Sequence, residues 1–130
     1  MYPTLHPGDC ILFDRLAYRH GSPQSMDIVL VKHPLKRNMM MIKRIVGRPG
    51  TTVINRAGEF IVGGIPFNKA VDTQLNEDEK TILGQEEYFI VGDYLHQSLD
   101  DSRTLGPLPR QNIEARAWMI YWPPSRWQLL

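Results

Sequence analysis

The stretch MMMIKRIVGRPG, residues 39–50, decides how this chain folds. A continuous apolar run is interrupted only by Lys43 and Arg44 and then stopped by Gly47, Pro49 and Gly50, which reads as a strand closed by a turn. Side chains alternate across a strand, so Met39, Met41, Lys43 and Ile45 share one face while Met40, Ile42, Arg44 and Val46 share the other. Lys43 thus has apolar neighbours on both sides along its own face. In apolar surroundings the charged amine is disfavoured, and its pKa falls toward the range where the neutral form acts as a general base. Most strand lysines escape by extending the stem until the ammonium is in water. Lys43 becomes a candidate only if other motifs accompany it.

The rest of the chain has the same punctuation. Apolar runs at residues 10–13, 27–32, 52–54, 59–62, 88–91 and 115–122 are bounded by Pro7-Gly8, Gly21-Ser22-Pro23, Gly63-Gly64 and Gly106-Pro107. Residues 74–84 are mainly polar and read as a loop rather than a helix. Ten glycines and ten prolines suit many turns, and no repeat or linker breaks the chain. An all-β, barrel-like or sandwich domain of short antiparallel strands over residues 1–130 is expected.

Composition narrows the function. With 42% apolar and 22% charged residues and a net charge of +1, neither disorder nor a broad nucleic-acid-binding surface is indicated. Cys10 is the single cysteine, which excludes an internal disulfide, and His6, His20, His33 and His96 are too far apart for a standard zinc spacing. Nothing calls for a metal or other cofactor. No stretch approaches the roughly 18 to 20 uninterrupted apolar residues that span a bilayer.

A second motif is GDYLHQSLDDSRTLGP, residues 92–107, which gathers Ser98, Asp100, Asp101, Ser102 and Arg103 in a glycine-bounded segment. A third is MYPTLHPGD, residues 1–9, in which Pro3 fixes the backbone and Gly8-Asp9 turns the chain into the next strand. Each alone reads as ordinary turn chemistry. In this order the three resemble the conserved boxes of the type I signal peptidases, membrane-bound serine proteases that cut leader peptides from exported proteins.

That resemblance implies a signal-peptidase catalytic fold and a serine–lysine mechanism. Lys43 matches the family's general base with its flanks intact, and Ser98 matches the serine that orients it by hydrogen bonding. An Asp–Arg pair would brace the loop, with Arg103 as one partner and either Asp100 or Asp101 as the other. The run from Ser98 to Arg103 is one residue longer than the family's usual Ser-x-Asp-Ser-Arg, so a strand bulge at Ser98 is expected to absorb the difference. Tyr94-Leu95 stand where Asn-Arg is common, and Thr51 where an acidic residue is usual. Met1, Leu5, Met41 and Ile42 would line a shallow apolar pocket for the small residue before the cut, although each is equally suited to core packing.

In the family the nucleophilic serine immediately precedes the methionine of the first box, and here that methionine is Met1. The expectation is therefore that serine and membrane anchor both lie upstream of this sequence, which holds the catalytic domain on the extracytoplasmic side of a bacterial or organellar membrane. The partner implied is the leader peptide of an exported protein, bound as an extended strand with Ala-x-Ala-like residues before the cut. An alternative of a different class is a serine-less homologue that binds extended peptides without cutting them. The aromatic run at residues 115–130 suits a membrane interface, but alternation puts Trp118, Ile120 and Trp122 on one strand face, which fits a buried core equally well.

Overall fold

The computed structural model describes residues 1–56, 59–67 and 79–130. Its strands are β1 (Cys10–Asp14), β2 (Ile28–Lys32), β3 (Met40–Gly47), β4 (Thr52–Arg56), β5 (Glu59–Val62) and β6 (Ile65–Pro66). They continue as β7 (Glu79–Ile82), β8 (Glu87–Val91), β9 (Leu108–Pro109), β10 (Ile113–Trp122) and β11 (Gln128–Leu129), with a single helical turn α1 (Ser102–Leu105) between β8 and β9. Pairing is antiparallel in two sheets. The larger has the order β1-β10-β2-β3-β8-β9 with β11 added to β10; the smaller has the order β6-β5-β4-β7.

The stretch at 39–50 occupies the middle of the larger sheet because it offers apolar side chains on both faces. Met41 and Ile45 enter a core with Val29, Val31, Ile90 and Leu108. Val46 enters a second core with Val53, Val62, Leu83 and Phe89, which joins the two sheets, while Ile42 packs against a third with Ile28 and Ile120. Burying each such side chain contributes about 1.5–3 kcal/mol. Gly47 is closely packed in this second core: a Cβ there would lie 2.9 Å from Leu83 Cδ1 and from Phe89 Cβ, and 3.0 Å from Val62 Cγ1 of the smaller sheet.

Three expectations change. Residues 79–82 of the segment read as a loop form strand β7, paired with β4; residues 74–78 lie outside the described residues. Period-2 alternation fails along β10, because register shifts against β1 pair Ala117 with Phe13, Met119 with Leu12, Ile120 with Ile11 and Trp122 with Cys10. Trp118 and Tyr121 are thus extra residues opposite none, as in β-bulges. Ile120 is buried while Trp118 and Trp122 are each 55% exposed, so the shared buried face does not form. Finally, no strand bulge forms at Ser98, which lies in the loop after β8.

Candidate functional site

Lys43 lies in β3 between Ile42 and Arg44, opposite Val29 of β2, and its side chain is half-buried. Burial pushes its pKa below the ordinary value of 10.5, Arg103 adds to this, and Asp101 and Asp100 oppose it. Its Nζ donates to Ser98 Oγ at 2.8 Å, and Ser98 Oγ donates to Asp101 Oδ2 at 2.7 Å. The chain of bonds ends on Arg103, whose Nη2 donates to Asp101 Oδ2 at 2.7 Å and whose Nε donates to Oδ1 at 3.0 Å.

The sequence makes this cluster by local means. Asp101 caps α1, accepting the backbone N–H of Arg103 at 3.0 Å, as expected of an Asp before a helical turn. Arg103 then folds back, and its Nη2 also donates to the carbonyls of Leu95 at 2.8 Å and Ser98 at 3.0 Å. A fully buried carboxylate with a hydrogen-bonded guanidinium is well satisfied, whereas either group alone would be costly. Burial by itself would raise the Asp101 carboxyl, but the bonds from Arg103 and Ser98 outweigh it and leave the group below its ordinary value.

Of the two carboxylates left open by the sequence, Asp101 is therefore the one paired with Arg103. Asp100 turns outward to Lys36, whose Nζ donates to its Oδ2 at 2.8 Å. Between Ser98 and Asp101 the chain runs as a loop, with Leu99 77% exposed.

Lys43 and Ser98 open onto a groove of about 460 Å³, with Met1, Met41 and Ile42 among its lining residues. Leu5 is not in that lining. It is buried with Ile28, Ala117 and Ile120 beneath the first loop, so core packing replaces the pocket role expected of it.

Two arginine clamps escaped the sequence reading. Arg44 holds Asp93 through two bonds of 2.7 Å and donates to Thr4 Oγ1 at 3.2 Å. Arg126 holds Asp9 at 2.7 and 2.9 Å and donates to the Thr4 carbonyl at 3.2 Å. Thr4 is thus gripped from two elements, which ties the loop bearing Met1 to β3 and to the chain's end. The partners are 49 and 117 residues apart, and no spacing rule links them. Gly92 is a third omission: a Cβ on it would meet Ser98 Oγ at 2.5 Å, so the absence of a side chain lets Ser98 approach Lys43.

This chain belongs to the signal peptidase family: the family described as "Signal peptidase, peptidase S26" matches residues 1–122. Similar proteins include thylakoidal processing peptidase 1 of Arabidopsis thaliana, 33% identical with 97% of this chain and 40% of the relative covered. Subunit 1b of the mitochondrial ATP-independent inner membrane protease, from the same plant, is 32% identical over 95% of this chain and 65% of its own length. Signal peptidase I of Leptolyngbya laminosa is 32% identical over 97% and 66%. The chain therefore spans between 40% and 66% of the length of these relatives. A crystal structure of a signal peptidase I from Enterococcus faecalis V583 shares the fold, with a TM-score of 0.53 at 22% identity, covering 73% of this chain and 96% of that one. Among the described residues no helix is long and apolar enough to cross a membrane.

Proposed function

We propose that residues 1–130 form the lysine-bearing catalytic domain of a serine endopeptidase that cleaves leader peptides after small residues. Lys43 is the general base, Ser98 orients its amine, and Asp101 with Arg103 braces the turn that carries Ser98. The observation that carries this reading is the 2.8 Å bond from Lys43 Nζ to Ser98 Oγ at the floor of an open groove. An amine whose proton is disfavoured, held by one acceptor beside a peptide-sized cleft, is suited to activating a hydroxyl.

The nucleophile's place is the residue directly before Met1, and Met1 lines the same groove as Lys43. Residues 1–130 by themselves carry no serine there and are expected to bind extended peptides without cutting them. Met1, Met41 and Ile42 supply an apolar pocket for an alanine-sized side chain. Half-exposed Trp118 and Trp122, with Trp127 and Leu129 nearby in sequence, suit contact with the membrane from which a leader peptide is presented, on its extracytoplasmic side.

The test is to join a serine and an upstream strand-forming segment to Met1 and follow cleavage of an Ala-x-Ala peptide. Turnover that appears with the serine and vanishes with Lys43→Met supports the reading. Turnover in residues 1–130 alone, lost on changing Ser98 or Ser102, would replace it.

A further inference from the structure

Among the described residues, two charged side chains line the groove, Lys43 and Asp100. Burial lowers the Lys43 pKa from its ordinary value, and the hydrogen bond from Lys36 lowers that of Asp100. Asp100 thus supplies the carboxylate of the groove wall, opposite in sign to the Lys43 amine.

Asp100 also faces away from the groove, toward the turn between β2 and β3. There Lys36 Nζ donates to its Oδ2, and Lys36 belongs to a neighbouring depression with Arg37 and Met40. His33 closes the back of the cluster. Its ring is almost wholly buried, and its Nδ1 accepts the backbone N–H groups of Leu35 at 3.1 Å and Lys36 at 3.0 Å. That leaves the ring proton on Nε2, which has no hydrogen-bond partner and points at Asp100 Oδ2 from 3.6 Å. Both approaches fall on Oδ2, and no bond to Oδ1 is found among the described residues.

We propose that Asp100 selects charge in this groove: it accepts the ammonium or guanidinium of a basic residue lying close to the small residues of the bound peptide, and disfavours an acidic one there. The inference rests on the groove being a peptide site. The physical ground is that a carboxylate on a concave, partly desolvated wall raises the local preference for cations, and that specificity is a difference of affinities. Lys36 competes for the same carboxylate from the far side. Its ammonium is more than half exposed, so the pair is weak enough to be shared with an incoming cation.

The experiment measures binding, so it does not depend on the catalytic reading. Labelled peptides with an Ala-x-Ala centre carry lysine, norleucine or glutamate at each of the three positions on either side, and their affinities for residues 1–130 are read by fluorescence anisotropy. At one position at least, lysine should bind about tenfold tighter than norleucine, with glutamate weakest, and the ratio should shrink in high salt. Asp100→Asn should bring that ratio to about two or less. Lys36→Met should raise it by removing the competing ammonium, an effect that loosening the loop would not produce. Equal affinity for lysine and norleucine peptides at every position, or a preference that survives Asp100→Asn, overturns the proposal. A chain that binds none of the peptides overturns the groove reading and this inference with it.

Discussion

Gly92 lies against Ser98 so closely that a Cβ on it would stand 2.5 Å from Ser98 Oγ, 2.7 Å from Ser98 Cβ and 3.7 Å from Lys43 Nζ. The first two distances cannot be tolerated without moving Ser98, and the third shows which bond the movement breaks. Gly92→Ala should therefore lower turnover of the serine-extended protein by about tenfold or more, since a misplaced base is costly, while the cores stay intact. Steady-state kinetics beside a melting curve checks this. Full activity in the alanine variant would mean that the Lys43–Ser98 contact is dispensable.

Asp101→Asn should be felt in stability as well as activity. It weakens a buried pair whose Arg103 remains enclosed, at a cost of about 3 kcal/mol in chemical denaturation. Because the folded carboxyl titrates below its ordinary value of 3.8, the stability it contributes is present above that value and lost as pH falls through the folded pKa. The gap in Tm between wild type and variant should narrow below pH 3.8. Asp100→Asn should lower Tm far less, because its ion pair is with a Lys36 side chain that is more than half exposed. If Asp100→Asn is the destabilising change and Asp101→Asn the silent one, the pairing described for Arg103 is wrong.

Gly47→Ala tests how the two sheets meet. The added methyl would press on Leu83 and Phe89 from 2.9 Å, and overpacking of this kind costs about 1–3 kcal/mol. Denaturant titration should show the loss. An unchanged midpoint would mean that the sheets can part slightly without cost.

Much of this site could be read from local sequence, and what could not was long-range. The face of β3 that carries Lys43 followed from alternation, because both faces of that strand are covered and its register is fixed by neighbours on each side. The residues of the second box were recognisable as a group because they fall within one turn of chain. Whether Asp100 or Asp101 pairs with Arg103 could not be read, since it depends on the N-cap of a helix four residues long. Alternation failed in β10, where two extra residues restart the period and leave Trp118 exposed. β7 was missed because all four of its residues are exposed, which removes the apolar signal of a strand. The grip on Thr4 by Arg44 and Arg126 depends on residues 40 and 122 positions away meeting it in space.

The pH dependence of cleavage by the serine-extended protein, measured with lysine and with methionine at position 43, tests the central claim most directly. Activity should rise with pH through an apparent midpoint below the ordinary lysine value of 10.5, as the base loses its proton, and should disappear in Lys43→Met. Equal cleavage with methionine at position 43, or a rising limb no lower than an exposed lysine would give, would contradict the account.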